Sequence, residues 1–327
     1  MALTTIGSSS DTAIQGRVAE ALEGDTDVKG RLFEAALIAC LLVSLAVLAL
    51  LVGKVLGDGL PVFADRGADF LDGSLSSQPD RAGISQAIIG SFWIATSVVV
   101  IALPLGVGAA IYLEEYAPRN RLTAFIEINT RNLAGVPSIV YGLLGLAIFV
   151  EYFDGFSGNQ GVNRRTLAAA GLTLAALVLP VIIITTQEAI RAVPQALREG
   201  AYGVGATRWE VIRSQVLPYA APGILTGALL SIARAVGEAA PLIVLGAVTG
   251  LLGGGTGLSA SSLLDPSSLT ERFTALPITV ATWAKRPEQE FNVDDAAAAI
   301  VAMLVFVLLV NSIAIVLRNR FERKRSA

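Results

Sequence analysis

The chain has 327 residues, of which 54% are hydrophobic and 16% charged, whereas soluble domains average roughly 45–50% and 25%. This composition indicates a membrane protein. The 24 Lys and Arg nearly balance the 27 Asp and Glu, so no nucleic-acid partner is expected. Because histidine is absent and Cys40 is the single cysteine, histidine-based catalysis, an intrachain disulfide and a cysteine-cluster metal site are excluded.

Charge-free stretches long enough to cross a bilayer recur along the chain, since a spanning helix needs about 20 mostly apolar residues. These stretches are 35–53, 82–113, 132–150, 166–187, 214–233, 239–264 and 296–317. Only RAVGE separates the fifth stretch from the sixth, so we interpret Pro218 to Val248 as one span with an internal Arg and Glu. The sequence therefore predicts an all-α integral membrane protein with six spans.

The distribution of positive charge predicts the orientation of these spans. If the N-terminus is placed inside, the segments on the inner side contain more Lys and Arg than the segments on the outer side. The basic sequence RNRFERKRSA directly follows the last span. Since positive residues are retained on the cytoplasmic side, we expect both termini to be cytoplasmic.

Residues 188–218, between the fourth and fifth spans, have the pattern of an amphipathic helical pair. Pro194 suits a first helical turn, and apolar residues then recur at three- and four-residue spacing on both sides of Gly203 and Gly205. The glycines allow a sharp change of direction between the two helices. Periodicity alone fits either a passive interfacial helix or a rigid element that transmits force between spans.

The same loop carries a more specific pattern. EGAYGVG at 199–205, followed after nine residues by QVLP at 215–218, resembles the EAA loop of ABC importer permeases. Gly200 and Gln215 depart from the EAA pattern, whereas its glycine and Leu-Pro positions match. The resemblance implies a coupling helix that docks on a separate nucleotide-binding subunit. The residues that it places in or beside the docking turn are Glu199, Ala201, Gly205, Ala206, Thr207, Arg208 and Trp209.

The fifth span contains two ionisable residues, Arg234 and Glu238, at positions i and i+4. This spacing places them on one face of a helix, within reach of each other. Charged residues at membrane depth are candidates for function, although a purely structural ion pair remains an alternative. Gly237 and Pro241 can loosen the helix locally, and a guanidinium fork suits a tetrahedral oxyanion. The pair is therefore our candidate for the substrate pathway.

The sequence around the pair narrows the resemblance. RAVGEAAP resembles the RxxGETAP signature of PstA-type permeases of bacterial phosphate-specific ABC importers, with Ala239 in place of Thr. NLAGVPSIVYGLLGLAIFV at 132–150 and LLVNSIAIVLRNRF at 308–321 resemble further segments of those permeases. Sister permeases of the PstC type typically read GETMA at the signature. Together the matches cover most of residues 84–322.

This resemblance implies a six-span, MetI-like type I ABC importer permease in the bacterial plasma membrane. Its implied partners are a PstC-type sister permease, an ATPase dimer, an external phosphate-binding protein and membrane lipid. The chain itself would be no enzyme and hold no cofactor, with ATP and Mg bound by the ATPase; consistently, it has no G-x-x-x-x-G-K-[ST] phosphate loop. Ser138 and Tyr141 are further pathway candidates, although small-residue helix packing is an alternative for that segment.

We expect four regions along the chain. They are a cytoplasmic tail (1–33), the first span with its outer loop (34–83), the permease core with the coupling loop at 188–218 (84–322) and a short cytoplasmic tail (323–327).

Other functions remain open at this stage. An importer of another oxyanion, such as sulfate or molybdate, would use a similar pair; a passive anion channel would not need a coupling loop. An intramembrane Ser-Lys hydrolase is disfavoured because the lysines lie at or beyond the span ends.

Overall fold

The computed structural model describes residues 28–151, 165–247, 265, 269 and 272–326. Most of these residues lie in helices, and a single antiparallel bridge between Thr166 and Arg272 is the only β-type pairing among them. The helices are α1 (Val28–Asp72), α2 (Ser85–Tyr116), α3 (Arg121–Ala134), α4 (Ser138–Val150), α5 (Leu167–Arg191), α6 (Gln195–Gly203), α7 (Arg208–Gly237), α8 (Ala240–Leu245), α9 (Leu276–Trp283) and α10 (Ala296–Ser326). A π turn, Glu290–Asp295, runs directly into α10.

The chain divides into two compact units, residues 1–54 and 55–327. In the first unit, the described residues belong to α1, and their apolar side chains are exposed along the helix. Such a helix suits lipid, because an apolar segment of this length can span the hydrocarbon region. In the second unit, α1 continues to Asp72 and is kinked at Gly67, which has a positive φ of 43°.

Helix α5 lies at the centre of the second unit, and most of its apolar residues are buried. Three neighbouring helices approach it through glycines: Gly106 of α2, Gly145 of α4 and Gly227 of α7. A Cβ atom at any of these positions would overlap a side chain of α5. In membrane bundles, small residues let helix backbones approach closely, and the resulting van der Waals packing stabilises the contact between the helices.

A second core of this unit combines aromatic rings with a partly buried ion pair. The Trp283 ring centroid is 6.2 Å from that of Phe70 and 5.7 Å from that of Phe291. The guanidinium of Arg66 lies 5.0 Å from the Phe70 centroid, and its Nη1 is 2.9 Å from Oδ1 of Asp295. The pair therefore joins the end of α1 to the start of the last span.

The all-α membrane fold is confirmed, but the third predicted span is not a continuous helix. Five helices are long and apolar enough to cross a membrane, and the pair α3–α4 gives a sixth if it is counted as one span. The stretch 132–150 is interrupted after Ala134, and the two helices meet at 103°. Pro137 explains the break, because a proline disfavours helical conformation at the residue before it.

The segment from Pro218 to Val248, predicted as one span, is not one continuous helix in its described part. Helix α7 ends at Gly237, Glu238 has an extended backbone (φ −82°, ψ 114°), and α8 follows. In a continuous helix, residue 241 would donate its N–H to the carbonyl of Gly237. Pro241 has no N–H to donate, and its ring would clash with that carbonyl, so the helix stops before it.

Some predicted regions fall outside the described residues. These are residues 1–27 of the N-terminal tail, residues 153–164 of an outer loop predicted at 153–165, and the first part, 251–264, of an outer loop predicted at 251–295. At the described borders, α1 already begins at Val28, inside the predicted tail, and α10 extends to Ser326.

Candidate functional site

The ion pair predicted in the fifth span is present in the structure. Nε of Arg234 lies 3.5 Å from Oε1 of Glu238. Arg234 occupies the last turn of α7, where a positive charge complements the helix dipole, and Glu238 is the residue at which the helix ends. The Arg234 side chain is 49% exposed and that of Glu238 is 21% exposed. One guanidinium edge is therefore held by the carboxylate while much of the group remains accessible.

Helix α8, which follows the pair, packs closely against α4. A Cβ atom on Gly142 would lie only 2.7 Å from the Cα of Pro241, so this contact requires a glycine in α4. Helix α8 ends at Gly246, whose φ of 84° places it in the left-handed region. The structure thus brings the segment that carries Ser138 and Tyr141 against the chain that leaves Glu238.

Ser138 and Tyr141 differ in their environment. Ser138 is the first residue of α4 and is partly exposed. Tyr141 is buried, and its hydroxyl donates a 2.9 Å hydrogen bond to the carbonyl of Leu133 at the end of α3. This bond crosses the bend between the two helices. The hydroxyl therefore stabilises the bend, and its role in the substrate pathway stays a prediction.

The helical pair predicted in the coupling loop is present as α6 and the start of α7. Helix α6 ends in a Schellman motif: the N–H of Ala206 donates to the carbonyl of Ala201 at 3.2 Å, and that of Gly205 donates to Tyr202 at 3.0 Å. The motif requires a left-handed residue, and Gly205 supplies it with a φ of 87°. The predicted change of direction thus depends on Gly205.

The next helix starts from a capping box at Thr207. Its Oγ1 accepts from the N–H of Glu210 at 3.4 Å, and Oε2 of Glu210 accepts from the N–H of Thr207 at 2.7 Å. The predicted coupling residue Thr207 is thus engaged in fixing the start of α7. With the Schellman motif before it, the box defines the turn on both sides.

The predicted docking residues divide into an exposed and an inner group. The exposed ones are Glu199, Gly205, Thr207, Arg208 and Trp209. Ala201 and Ala206 are partly buried and pack against an apolar cluster formed by Ile190, Val193, Val211, Val216, Ala220 and Ile224. At the tip, Val204 is 86% exposed and Trp209 is 55% exposed. The turn therefore presents an unpartnered apolar surface on a well-packed base.

Sequence reasoning missed the contacts that attach this region to α2. Arg198 of α6 pairs with Glu115, and Arg191 pairs with Glu114. A partial signal existed, because Glu114 and Glu115 form an acidic pair at the end of an apolar span opposite a loop rich in arginine. Arg198 and Glu115 are 83 positions apart, so periodicity and local spacing could not identify their pairing.

Among the described residues, no group of three or more Asp, Glu or Cys could hold a metal ion.

Residues 102–327 match the family described as binding-protein-dependent transport system inner membrane component. The chain therefore belongs to this family of ABC importer permeases and is a multi-pass inner membrane protein. Its sequence is similar to the phosphate transport system permease protein PstA of Yersinia pestis, with 35% identity over 253 residues that cover 77% of each chain. The PstA protein of Haemophilus influenzae is 31% identical over 82% of this chain and 84% of that protein. The resemblance to PstA-type permeases is thus confirmed.

Two further comparisons extend this relationship. The probable ABC transporter permease YqgI of Bacillus subtilis is 37% identical, and the match spans 51% of this chain and about half (54%) of that relative. Among solved structures, a chain of a bacterial ABC transporter involved in the import of the acidic polysaccharide alginate aligns with a TM-score of 0.59. The alignment has 14% identity and covers 89% of this chain and 99% of that one. The latter similarity establishes the shared permease fold alone.

Proposed function

We propose that the chain is a permease subunit of an ATP-driven importer of inorganic phosphate. The observation that carries this proposal is the half-exposed Arg234, held by Glu238 at the end of α7 within a sequence similar to PstA-type permeases. An arginine fork recognises oxyanions through paired, charge-assisted hydrogen bonds. A phosphate ion that reaches the free edge of the guanidinium would compete with Glu238 for Arg234. This competition weakens phosphate binding, so the ion can also be released.

The exposed turn between α6 and α7 supports an ATP-dependent mechanism. Val204 and Trp209 project from a turn whose backbone is fixed on both sides, as suits a surface that docks on another protein. We propose that a dimer of separate ATPase subunits, which bind ATP and Mg, docks here. A PstC-type sister permease would complete the pathway, and an external binding protein would deliver phosphate. Both termini would then be cytoplasmic.

The test is phosphate uptake by the assembled importer with Arg234→Gln, which keeps a polar side chain of similar length and removes the charge. Losing a charge-assisted hydrogen bond costs about 1.5–3 kcal/mol, so we expect uptake at low phosphate to fall roughly tenfold or more. Because Arg234 is half-exposed, co-purification with the partner subunits should be unchanged. Undiminished uptake would remove Arg234 from the pathway.

The substrate is tested separately by competition. Unlabelled phosphate, sulfate and molybdate are added in turn to vesicles that accumulate radioactive phosphate. Phosphate alone should compete at low concentration. Stronger competition by sulfate or molybdate would assign the importer to that oxyanion instead, and phosphate conductance by the isolated chain without ATP would indicate a passive channel.

A further inference from the structure

The last turn of α2 binds the coupling loop through three contacts with arginine side chains. Residues 112–116 form a π turn that ends the helix, and three of its five side chains contact residues of the segment 188–218. Two of the contacts are ion pairs, and the third places a guanidinium 5.1 Å from the centroid of an aromatic ring. The three pairs are Glu114 with Arg191, Glu115 with Arg198, and Tyr116 with Arg208.

The contact between Arg198 and Glu115 is the most enclosed of these ion pairs. The side chains are 17% and 8% exposed, whereas Arg191 is 39% exposed. Nη1 of Arg198 donates to the Glu115 carboxylate, and Nη2 donates to the carbonyl of Ile190 at 2.8 Å. One guanidinium thus connects α6 with both α2 and the end of α5. Exposed ion pairs contribute little, whereas an enclosed and hydrogen-bonded pair resists separation.

The chain connectivity gives this pair its importance. Helix α6 is joined to α5 by residues 192–194 and to α7 by residues 204–207, so displacement of α6 acts on those two helices through the backbone. Helix α2 has no such connection, because Glu115 is 83 residues from Arg198. Helix α2 also packs along α5, where a Cβ atom on Gly171 would lie 2.6 Å from that of Ser97. Motion of α2 would therefore rearrange the bundle.

We propose that Arg198 and Glu115 are positioning residues that make α2 follow α6 when the ATPase displaces the coupling turn. This proposal rests on the proposed function and adds a third helix to those driven by ATP. The ion pair carries force in both directions, since its two partners cannot separate without leaving an enclosed charge uncompensated. Losing the link would leave docking and ATP hydrolysis in place but would weaken their connection to transport.

The experiment measures phosphate uptake and ATP hydrolysis in the same proteoliposomes, which contain the complete importer purified through this chain. The variants are Arg198→Gln and Glu115→Gln. The control is Arg119→Gln, since Arg119 is exposed near the same end of α2 and makes no ion pair with any described residue. We expect phosphate transported per ATP to fall about fivefold or more in both variants. The control should keep the ratio of the unaltered importer.

A charge reversal tests the pair itself. The double variant Arg198→Glu with Glu115→Arg should recover at least half of the lost ratio, because it restores the ion pair while giving up the bond to Ile190. If Arg198→Gln does not assemble, Glu115→Gln and the double variant decide the outcome. An unchanged ratio in the single variants overturns the link, as does a parallel loss of uptake and hydrolysis with no recovery in the double variant. Failure of the unaltered importer to accumulate phosphate would instead refute the proposed function.

Discussion

Replacing Gly205 by alanine should weaken docking of the ATPase by changing only the backbone preference of the coupling turn. A Cβ atom at this position meets nothing within 4 Å, so the substitution introduces no steric overlap in the permease. Its cost comes from the φ of 87°, which a residue with a Cβ adopts at a penalty of roughly 1–2 kcal/mol. If docking requires the turn in this conformation, the dissociation constant should rise about 5- to 30-fold.

The matched control is Gly200→Ala in the same loop. Gly200 lies within α6, also has open space around its Cα, and has an ordinary helical backbone, so alanine should stabilise the helix by about 1 kcal/mol. Purified ATPase is titrated against membranes that contain each permease variant, and bound ATPase is measured at each concentration. Equal affinities for Gly205→Ala and the unaltered chain would refute the reasoning. The reasoning would also be refuted if Gly200→Ala weakened docking as much as Gly205→Ala does.

Two further substitutions test contacts away from the coupling turn. Tyr141→Phe removes the hydroxyl that bonds to Leu133, so the thermal stability of the chain in detergent should fall by about 1 kcal/mol while the phosphate concentration for half-maximal uptake stays the same. A large rise in that concentration would instead place the hydroxyl in the substrate pathway. Asp295→Asn leaves Arg66 without its buried counter-charge and should lower stability by about 3 kcal/mol, measured by thermal unfolding with Asp295→Glu as the charge-retaining control. Equal melting temperatures for all three proteins would contradict this assignment.

Features encoded by local sequence could be predicted well. Charge-free stretches identified the apolar helices, and the coupling turn followed from apolar periodicity and two glycines, of which Gly205 has the left-handed backbone. The proximity of Arg234 and Glu238 was also predictable, because their spacing brings them together even though the helix ends between them. In each case the interacting groups lie within a few residues of each other.

The helix breaks and the long-range contacts were harder to predict for different reasons. A count of charge-free residues is insensitive to conformation, so it did not reveal the break before Pro137. Local loosening was expected at Gly237 and Pro241, but not that the helix would end there. The pair Arg198–Glu115 depends on how α2 and α6 meet, which is determined by packing across the whole bundle. A single sequence contains both charges but does not specify their distance.

The shortness of α4 and α8 affects how water can enter the protein. The two segments of α4 have 8 and 5 residues, which gives a length of about 20 Å, and the 6 residues of α8 extend about 9 Å. Neither can traverse a hydrocarbon layer of about 30 Å. Where such a helix lies in the hydrocarbon layer, at least one of its ends is at a depth where lipid offers no hydrogen bonds, and backbone of this kind persists only against protein or water. Because α8 begins next to the Arg234–Glu238 pair, these short helices favour hydration beside the guanidinium in an otherwise apolar protein.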